Sequence, residues 1–409
     1  MPIKKMRYYI FLKDVALLAV TAFGGPQVHI AMFLDLFVKK RGYLTEKEFL
    51  ELNALCQVLP GPTSTQTIVA LGFKVGGPNL AYLTLLIWCL PGVTMLTLFG
   101  LSISYLDQQS FSLNFLKLIQ PMAVGFVWYA AFRISQLVVS TRIGFLLMFL
   151  SALAAYVFRS PWVFPLVVVG GGLVTSFQFH KQPKEADKQI RIRWGNFILF
   201  VGVLVGAAVL GAITRSLPIR LFENFYRNGS FIFGGGQVLI PVLFTEFVKF
   251  KGYLTADEFL TGYGLAQFAP GPVFSFVAYV GVLSMREYGL GGQLLGAFVS
   301  SMGIFLPGTF LIFFVIRFWE QLKKYRVVKA SLEGVHASSS GLVVAAAILL
   351  LMPLYEEASS PTLAIINMGL VLLTFVILMF TKIPQPLLIL IGLLGGFLIQ
   401  ALLPEWVVF

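Results

Sequence analysis

The residues best suited to chemistry in this chain are four polar side chains that follow a proline–glycine–proline triplet. The stretch QVLPGPTSTQT (57–67) places the polar run 63–66 directly after the triplet 60–62. Two prolines around a glycine end one helix and allow another to begin, because proline removes a backbone hydrogen bond and clashes with the preceding turn. The free N–H groups of the new half-helix, its positive dipole end and the side chains of 63–66 favour binding of an anion.

A second proline–glycine–proline triplet lies in QFAPGPVFSFV (267–277). The residues after it are Val273, Phe274, Ser275 and Phe276, which are far less polar than residues 63–66. The two breaks therefore match in backbone chemistry but not in side chains. We expect the main substrate contacts to come from the first break.

Glycine-rich elements form another pair of predicted breaks. Residues 24–26 (GGP) precede Gln27, and residues 234–236 (GGG) precede Gln237. Glycines expose N–H groups and the glutamines add donors, which favours a binding role, whereas tight helix packing is the alternative. A third pair of LPG triplets, at 90–92 and 306–308, is also predicted to interrupt helices.

The elements that position these residues are membrane helices. The chain is 409 residues long, with 58% hydrophobic and 12% charged residues. Soluble domains carry about 25% charged residues, so this composition indicates a polytopic all-α membrane protein. Runs of about 20 apolar residues predict about thirteen spans, within a range of about 10–14, the first two near 14–38 and 52–73. The runs are too long for the strands of an outer-membrane barrel.

An internal repeat organises the chain. Residues 23–50 align without a gap with residues 233–260, an offset of 210 (233 − 23), and more than half of the positions are identical. We predict a first repeat over 1–179, a basic cytoplasmic linker with an extra helix over 180–220, and a second repeat over 221–409. The odd helix inverts the second half relative to the first. Inverted repeats are typical of secondary transporters, with substrate bound where the repeats meet.

The distribution of basic residues predicts a cytoplasmic N terminus. Lys and Arg concentrate in loops 180–193 and 317–329, as expected for cytoplasmic loops. Residues 39–41 (KKR) are an exception, because they follow the first predicted span and would lie outside. Either the triplet is tolerated there, or the first element is a re-entrant hairpin whose two ends share a side.

A dry site for a dianion needs more than hydrogen bonds, because desolvating an ion costs tens of kcal/mol in the idealised limit. A cation or a wet vestibule must contribute. Lys74, Arg133 and Arg227 are the candidate cations within predicted spans, and Arg133 is preferred because Gln136 extends its polar stripe. For coupling to protons the candidate is His29, which follows the GGP break, although a structural role is the alternative.

Several other roles are excluded or disfavoured by sequence. Cys56 and Cys89 lie in apolar segments, so we expect packing residues rather than a disulfide or a metal site. No phosphate-loop or catalytic arrangement is present, so neither an enzyme nor a cofactor is expected. The net charge of +12 lies in loops, which indicates membrane orientation rather than nucleic-acid binding. The two GYLT stretches, each with a Glu three residues after the Thr, predict capped surface helices.

The motifs FGGPQVHI, RGYLTEKEF, ALCQVLPGPTSTQ and FAPGPVFSFVAYVG strongly resemble those of the chromate ion transporter family, in its long form with two homologous halves. The resemblance covers nearly the whole chain. It implies a prokaryotic inner-membrane protein that exports chromate. Two features depart from the family pattern: Tyr43 and Tyr253 stand where Trp is frequent, and Gly236 replaces the proline of the second GGP.

Sequence therefore predicts a secondary transporter for chromate or a similar oxyanion such as sulfate, working by alternating access and coupled to protons. A passive anion channel with the same broken-helix pore is the alternative, and a membrane scaffold or enzyme is a third class. Expected partners are the oxyanion, the lipid bilayer and, as one option, a second copy in a homodimer. The candidate substrate-binding residues are Gly24, Gly25, Pro26, Gln27, Gln57, Pro60, Gly61, Pro62, Thr63, Ser64, Thr65, Gln66, Arg133, Gly234, Gly235, Gln237, Gln267, Pro270, Gly271, Pro272 and Ser275.

Overall fold

The computed structural model describes residues 2–109, 113–138, 141–177, 194–233, 235–319, 325–356 and 360–402. These residues are almost all helical and include no β-strand, which confirms the all-α prediction. The α-helices in chain order are α1 (Pro2–Thr21), α2 (Pro26–Phe33), α3 (Glu46–Val58), α4 (Thr63–Gln108), α5 (Ile119–Val138), α6 (Arg142–Phe158), α7 (Val163–Ser176), α8 (Gly195–Thr214), α9 (Leu217–Phe231), α10 (Gly236–Leu243), α11 (Ala256–Ala266), α12 (Phe276–Ser284), α13 (Gly289–Val315), α14 (Arg326–Glu356), α15 (Pro361–Phe380) and α16 (Gln385–Leu402). Two π-helices continue α2 and α10, at Leu34–Lys40 and Phe244–Phe250.

Among the described residues, seven helices are long and apolar enough to cross a membrane. They are Pro78–Asp107, Asn114–Gln136, Gly195–Thr214, Arg286–Val315, Ala330–Glu356, Pro361–Phe380 and Gln385–Leu402. Shorter apolar helices cover Arg142–Phe158, Val163–Ser176 and Val273–Ser284. The chain is a multi-pass helical membrane protein, and the count of about thirteen spans stays a prediction.

The helices form two compact units, each assembled from three separate segments. The first unit comprises residues 1–97, 176–236 and 269–332, and the second comprises 98–175, 237–268 and 333–409. Each unit therefore contains residues from both halves of the sequence repeat. The predicted repeat boundaries differ from this division and stay a prediction.

In the first unit, the first predicted span (14–38) is a hairpin. α1 ends at Thr21, and the chain then turns so that the Phe11 and Phe37 rings lie 5.2 Å apart. Arg41 donates two hydrogen bonds to Asp14 near the same end, at 2.7 and 2.8 Å. Of the two explanations for the basic triplet 39–41, this geometry favours the re-entrant hairpin.

The second predicted span (52–73) also contains a reversal. α3 ends at Val58 and α4 begins at Thr63, and the Thr67 hydroxyl lies 3.4 Å from the Asn53 side-chain oxygen across the turn. Further from the turn, hydrogen bonds from Thr45 lower the pKa of Glu48 in α3, and the positive charge of Lys74 in α4 lowers it further. A second interruption follows at Gly77, whose φ is 81°, before the long section of α4 begins.

Both predicted helix caps are confirmed. The Thr45 and Thr255 hydroxyls accept from the backbone N–H groups of Glu48 and Glu258, which in turn accept from the threonine N–H groups. The predicted surface location is wrong for α11, where nearly every residue is buried. The capping motif involves only neighbouring residues in sequence. It therefore does not indicate whether other elements of the fold cover the helix that follows.

The two cysteines and the two LPG triplets all lie within helices. Cys56 and Cys89 are free and buried, as expected of packing residues. The predicted LPG breaks are wrong, because α4 continues through Pro91 and α13 continues through Pro307. Neighbouring helices can hold a helix together around proline inside a membrane protein.

Candidate functional site

The candidate site lies in the first unit, where breaks from the two halves of the repeat meet. The N–H of Gly61, in the first PGP triplet, donates to the Ile232 carbonyl at 2.7 Å. The N–H of Gly271, in the second triplet, donates to the Ala22 carbonyl at 2.9 Å. Ala22 and Ile232 are equivalent across the offset of 210 (232 − 22). Each PGP triplet is therefore bonded to the carbonyl just before the glycine-rich break of the opposite half.

Positive backbone dihedral angles make glycine necessary in both triplets. Gly61 has a φ of 117° and Gly271 a φ of 84°. A residue with a Cβ rarely adopts these angles, so the turns that present the two N–H groups depend on glycine. The same backbone device appears at both breaks although their side chains differ.

The glycines of the LPG triplets allow other helices to approach these breaks closely. A Cβ on Gly92 would lie 2.8 Å from the Pro270 carbonyl oxygen, and one on Gly308 would lie 2.7 Å from the Gln66 side-chain nitrogen. Gly92 thus packs on the second-half break and Gly308 on the first-half break. The LPG triplets are contact points between the halves within this unit.

The polar run after the first break is buried. Ser64, Thr65 and Gln66 are 3%, 2% and 2% exposed, while Thr63 is half-buried. Gln66 donates from Nε2 to the Pro60 carbonyl at 2.6 Å, which ties its side chain to the break itself. Its Oε1 is buried and has no hydrogen-bond partner among the described residues.

Two aromatic residues hold the hydroxyls of this run. Trp88 donates from Nε1 to the Thr65 hydroxyl at 3.2 Å, and Nδ1 of His29 lies 3.2 Å from the Ser64 hydroxyl oxygen. The His29 and Trp88 rings meet edge to face at 5.2 Å, and both side chains are fully buried.

The start of α4 also presents backbone donors. The first helical hydrogen bond there runs from the Gln66 N–H to the Pro62 carbonyl at 2.8 Å. The amides of residues 63–65 precede it, and such N–H groups at a helix start have no partner within their own helix. Together with the two hydroxyls they form a donor-rich end suited to an anion.

The second break offers fewer polar groups. Residues Val273–Ser275 form a 3-10 turn, and Ser275 is fully buried with no hydrogen-bond partner for its hydroxyl among the described residues. A Cβ on Gly92 would lie 2.9 Å from that hydroxyl oxygen, so Ser275 faces α4. Ser275 is the only polar side chain from residues 273–276 at this break.

The predicted residues of the two glycine-rich breaks are the next group. Gly24, Gly25 and Pro26 lie at the start of α2, beside the reciprocal contact at Ala22. Gly235 is buried before α10. The side chains of Gln27 and Gln237 and all of Gly234 lie outside the described residues.

Three predicted polar residues do not belong to the buried cluster. Arg133 and Gln57 are exposed, and Gln267 is half-buried in the second unit. The preference for Arg133 rested on its polar neighbour Gln136, which is also exposed. A stripe of this kind shows which residues share a helix face, but not whether that face is buried.

Sequence reasoning missed Trp88 and the carbonyls of Ala22 and Ile232. Trp88 is one aromatic residue in an apolar run, and no spacing distinguishes it there. The two carbonyls had a usable signal, because the ungapped repeat makes them equivalent positions beside equivalent breaks.

Comparison with known proteins gives a consistent family result. The family model described as "Chromate transporter" matches residues 10–176 and 219–397. A "Probable chromate transport protein" of Synechococcus elongatus is 26% identical over 96% of this chain and 95% of its own. A "Chromate transport protein" of Pseudomonas aeruginosa is 28% identical over 83% of this chain and 80% of its own, and one of Cupriavidus metallidurans is 23% identical over 92% and 90%. No solved structure matches the chain.

Proposed function

Because the chain belongs to the chromate transporter family in its duplicated form, we propose that it exports chromate, or a related tetrahedral oxyanion such as sulfate, across a prokaryotic cytoplasmic membrane. The proposed mechanism is secondary transport by alternating access. The observation that carries it is the reciprocal pair of hydrogen bonds, Gly61 to Ile232 and Gly271 to Ala22. These bonds bring the donor-rich start of α4 to the place where the two halves meet.

The helix order supports an inverted relation between the halves. If both first-half hairpins enter and leave on one side, five described helices separate equivalent points: the long section of α4, then α5, α6, α7 and α8. Five crossings are an odd number, so the second half is inverted. With a cytoplasmic N terminus, the basic triplet 39–41 then lies in the cytoplasm, in agreement with the positive-inside rule.

The substrate in this proposal binds at the start of α4. The amides of residues 63–65 and the hydroxyls of Thr63, Ser64 and Thr65 can surround the oxygens of a tetrahedral anion. A hydrogen bond to a charged group contributes about 1.5–3 kcal/mol. Loss of two such donors is therefore expected to weaken the transport of the anion at least about tenfold, since 1.4 kcal/mol corresponds to a factor of ten.

Proton coupling is proposed to involve His29. Its Nδ1 lies beside the Ser64 hydroxyl, and the residue itself lies one helical turn after the break at Gly25. A change in its protonation would alter the hydrogen bond with Ser64, and so the donors available to the anion. His29 thereby links a proton to the substrate-binding end of α4.

The test is the flux of radiolabelled chromate and sulfate into proteoliposomes, with and without an imposed pH gradient. Wild type is compared with the double variant Thr63→Ala/Ser64→Ala, with His29→Gln, and with Thr214→Ala as control. Thr214 is exposed and its hydroxyl donates to the carbonyl of its own helix, so its loss should leave flux unchanged.

Saturable, gradient-driven chromate flux that the double variant lowers at least about tenfold would support the proposal. His29→Gln is expected to retain saturable flux and to lose its dependence on the pH gradient. Flux that is non-saturating and independent of the gradient would instead identify a passive channel. Absence of flux for both anions in folded protein would refute the proposed substrate.

A further inference from the structure

The polar face of α9 is a second feature that the donor cluster on α4 does not explain. α9 carries Arg220, Glu223, Asn224, Arg227 and Asn228, spaced three or four residues apart along one face. Residues at this spacing are neighbours on a helix surface. Asn224 and Asn228 are only 4% and 5% exposed, so this polar face turns inward along much of its length.

The face runs from an exposed end to the break where the halves meet. Arg220 is exposed, whereas Asn228 is buried, and the Asn228 carbonyl accepts from the N–H of Ile232 at 3.0 Å. The Ile232 carbonyl in turn accepts from Gly61. Arg227 lies five residues before Ile232, which at 1.5 Å per residue is about 7–8 Å along the helix.

Arg227 is a largely buried cation at this position. Its side chain is 12% exposed and that of Glu223 is 19% exposed, and its Nε donates to Glu223 Oε1 at 3.0 Å. Its Nη2 also donates to the Asn224 Oδ1 at 3.3 Å. The guanidinium is therefore held in place on the inward face, in contrast to the exposed Arg133.

Asn224 supplies an independent observation that indicates a ligand. Its Nδ2 is buried and has no hydrogen-bond partner among the described residues. An unpaired buried donor destabilises the protein unless another group accepts its hydrogen bond. Because Arg227 already fixes the Oδ1 end, Nδ2 is available to an acceptor such as an anion oxygen.

α9 packs closely on α13 through glycines that lie outside the ion pair. Gly229 and Gly303 provide the close contacts with α13, because a Cβ on Gly229 would lie 2.7 Å from the Ile304 carbonyl oxygen, and one on Gly303 2.8 Å from the Phe222 carbonyl oxygen. At the equivalent positions of the first half, Arg227 corresponds to Leu17 and Glu223 to Lys13. The arginine near the break thus belongs to one half alone.

We propose that Arg227 is the cation of the oxyanion path, and that Glu223 occupies it when no anion is bound. This inference rests on the proposed function and supplies the positive charge that hydrogen bonds at α4 do not provide. An arriving oxyanion replaces the Glu223 carboxylate on the guanidinium and accepts the hydrogen bond of Asn224 Nδ2. The polar face of α9 then leads the anion between the reciprocal break and the exposed end at Arg220.

The two partners of the pair have opposite predicted effects on affinity. Glu223→Gln removes the competing carboxylate, so the KM for chromate should fall about two- to fivefold, the factor for a pair worth about 0.5–1 kcal/mol. Arg227→Gln removes the cation, so KM should rise at least about tenfold, as for the loss of a charged hydrogen-bond partner. Arg227→Lys keeps the charge and should lie between wild type and Arg227→Gln.

The experiment measures the KM for radiolabelled chromate in proteoliposomes for wild type, the three variants and Arg142→Gln. Arg142 is an exposed cation at the start of α6, and its loss should leave KM unchanged. Thermal unfolding in detergent shows which variants fold, and Glu223→Gln and Arg227→Lys keep the test available if Arg227→Gln does not. A purely structural ion pair would impair transport in the same direction when either partner is changed. An unchanged or raised KM in Glu223→Gln would overturn the inference while leaving the transporter in place, whereas a wild type that moves no anion would overturn both.

Discussion

Substitution of Gly92 by alanine tests whether the two halves interlock at their breaks. A Cβ at this position would lie 2.8 Å from the Pro270 carbonyl oxygen and 2.9 Å from the Ser275 hydroxyl oxygen. Carbon and oxygen atoms do not approach this closely without displacement. The carbonyl also belongs to the backbone of a turn that depends on the positive φ of Gly271. Forcing an extra methyl group into a packed site costs about 1–3 kcal/mol.

The net effect also includes the helix propensity of alanine. Replacing glycine within a helix gains about 1 kcal/mol, so Gly92→Ala should range from neutral to about 2 kcal/mol less stable than wild type. Gly202→Ala is the matched control, since it lies within α8 and a Cβ there meets nothing within 4 Å. The control should gain stability, and the two variants should differ by about 1–3 kcal/mol.

Gly308→Ala gives an intermediate case. The nearest atom to its Cβ is Gln66 Nε2, at 2.7 Å, which is the end of a flexible side chain and can move. Its stability should therefore lie between those of Gly92→Ala and Gly202→Ala. Its displacement of Gln66 from the Pro60 carbonyl should nevertheless reduce chromate flux.

Reversible unfolding in mixed micelles with increasing dodecyl sulfate measures all three stabilities. The expected order from most to least stable is Gly202→Ala, then Gly308→Ala, then Gly92→Ala. If Gly92→Ala were as stable as Gly202→Ala, the close contact between α4 and the second break would be refuted.

Contacts at Trp88, at the cap of α3 and within the first hairpin can each be tested by substitution. Trp88→Phe keeps the aromatic packing but removes the hydrogen bond to Thr65. It should lower the free energy of unfolding by about 0.5–1.5 kcal/mol, and its effect should not add to that of Thr65→Val. Additive unfolding energies would contradict that bond. Thr45→Ala removes the capping box of α3 and should cost about 1 kcal/mol, measured as a lower unfolding midpoint; an unchanged midpoint would show that the cap does not contribute. Because α1 and the segment after it form a hairpin, Met6→Cys and Lys40→Cys should react with a membrane-impermeant maleimide from the same side of the membrane. Labelling from opposite sides would show that residues 14–38 form a single span instead.

Local sequence patterns predicted several elements of the fold correctly. The caps at Thr45 and Thr255 follow from side chains that bond to amides three residues away, so no distant information was needed. The positions of the PGP breaks follow from the geometry of proline itself. The repeat, with its offset of 210 (232 − 22), makes Ala22 and Ile232 equivalent positions, but the bonding of their carbonyls to the opposite breaks was not predicted.

The reversal of the chain at the breaks could not be predicted in the same way. A proline or glycine break shows where a helix ends, but not the angle at which the next helix leaves. The length of an apolar run likewise does not distinguish a span from a hairpin of two shorter segments, as at 14–38 and 52–73. The contacts that decide this, such as Asp14 with Arg41, join residues whose sequence separation carries no signal.

The burial of the candidate cations could not be predicted from sequence for a related reason. Arg133 and Arg227 both lie near polar neighbours in sequence, and only packing shows that the first is exposed while the second is 12% exposed. Burial of a helix face depends on which elements cover it. α9 is covered by α8 and α13, which come before and well after it in the chain.

Protection of an introduced cysteine by chromate shows whether an oxyanion binds at the start of α4. Thr63→Cys, in a background carrying Cys56→Ala and Cys89→Ala, places a thiol at a half-buried position on this end. Its rate of modification by a small methanethiosulfonate is measured in transport-active proteoliposomes as chromate is raised to saturation. If chromate binds there, the rate of modification should fall with the same concentration dependence as transport. A rate that does not change at saturating chromate, in protein that still transports it, would place the substrate elsewhere.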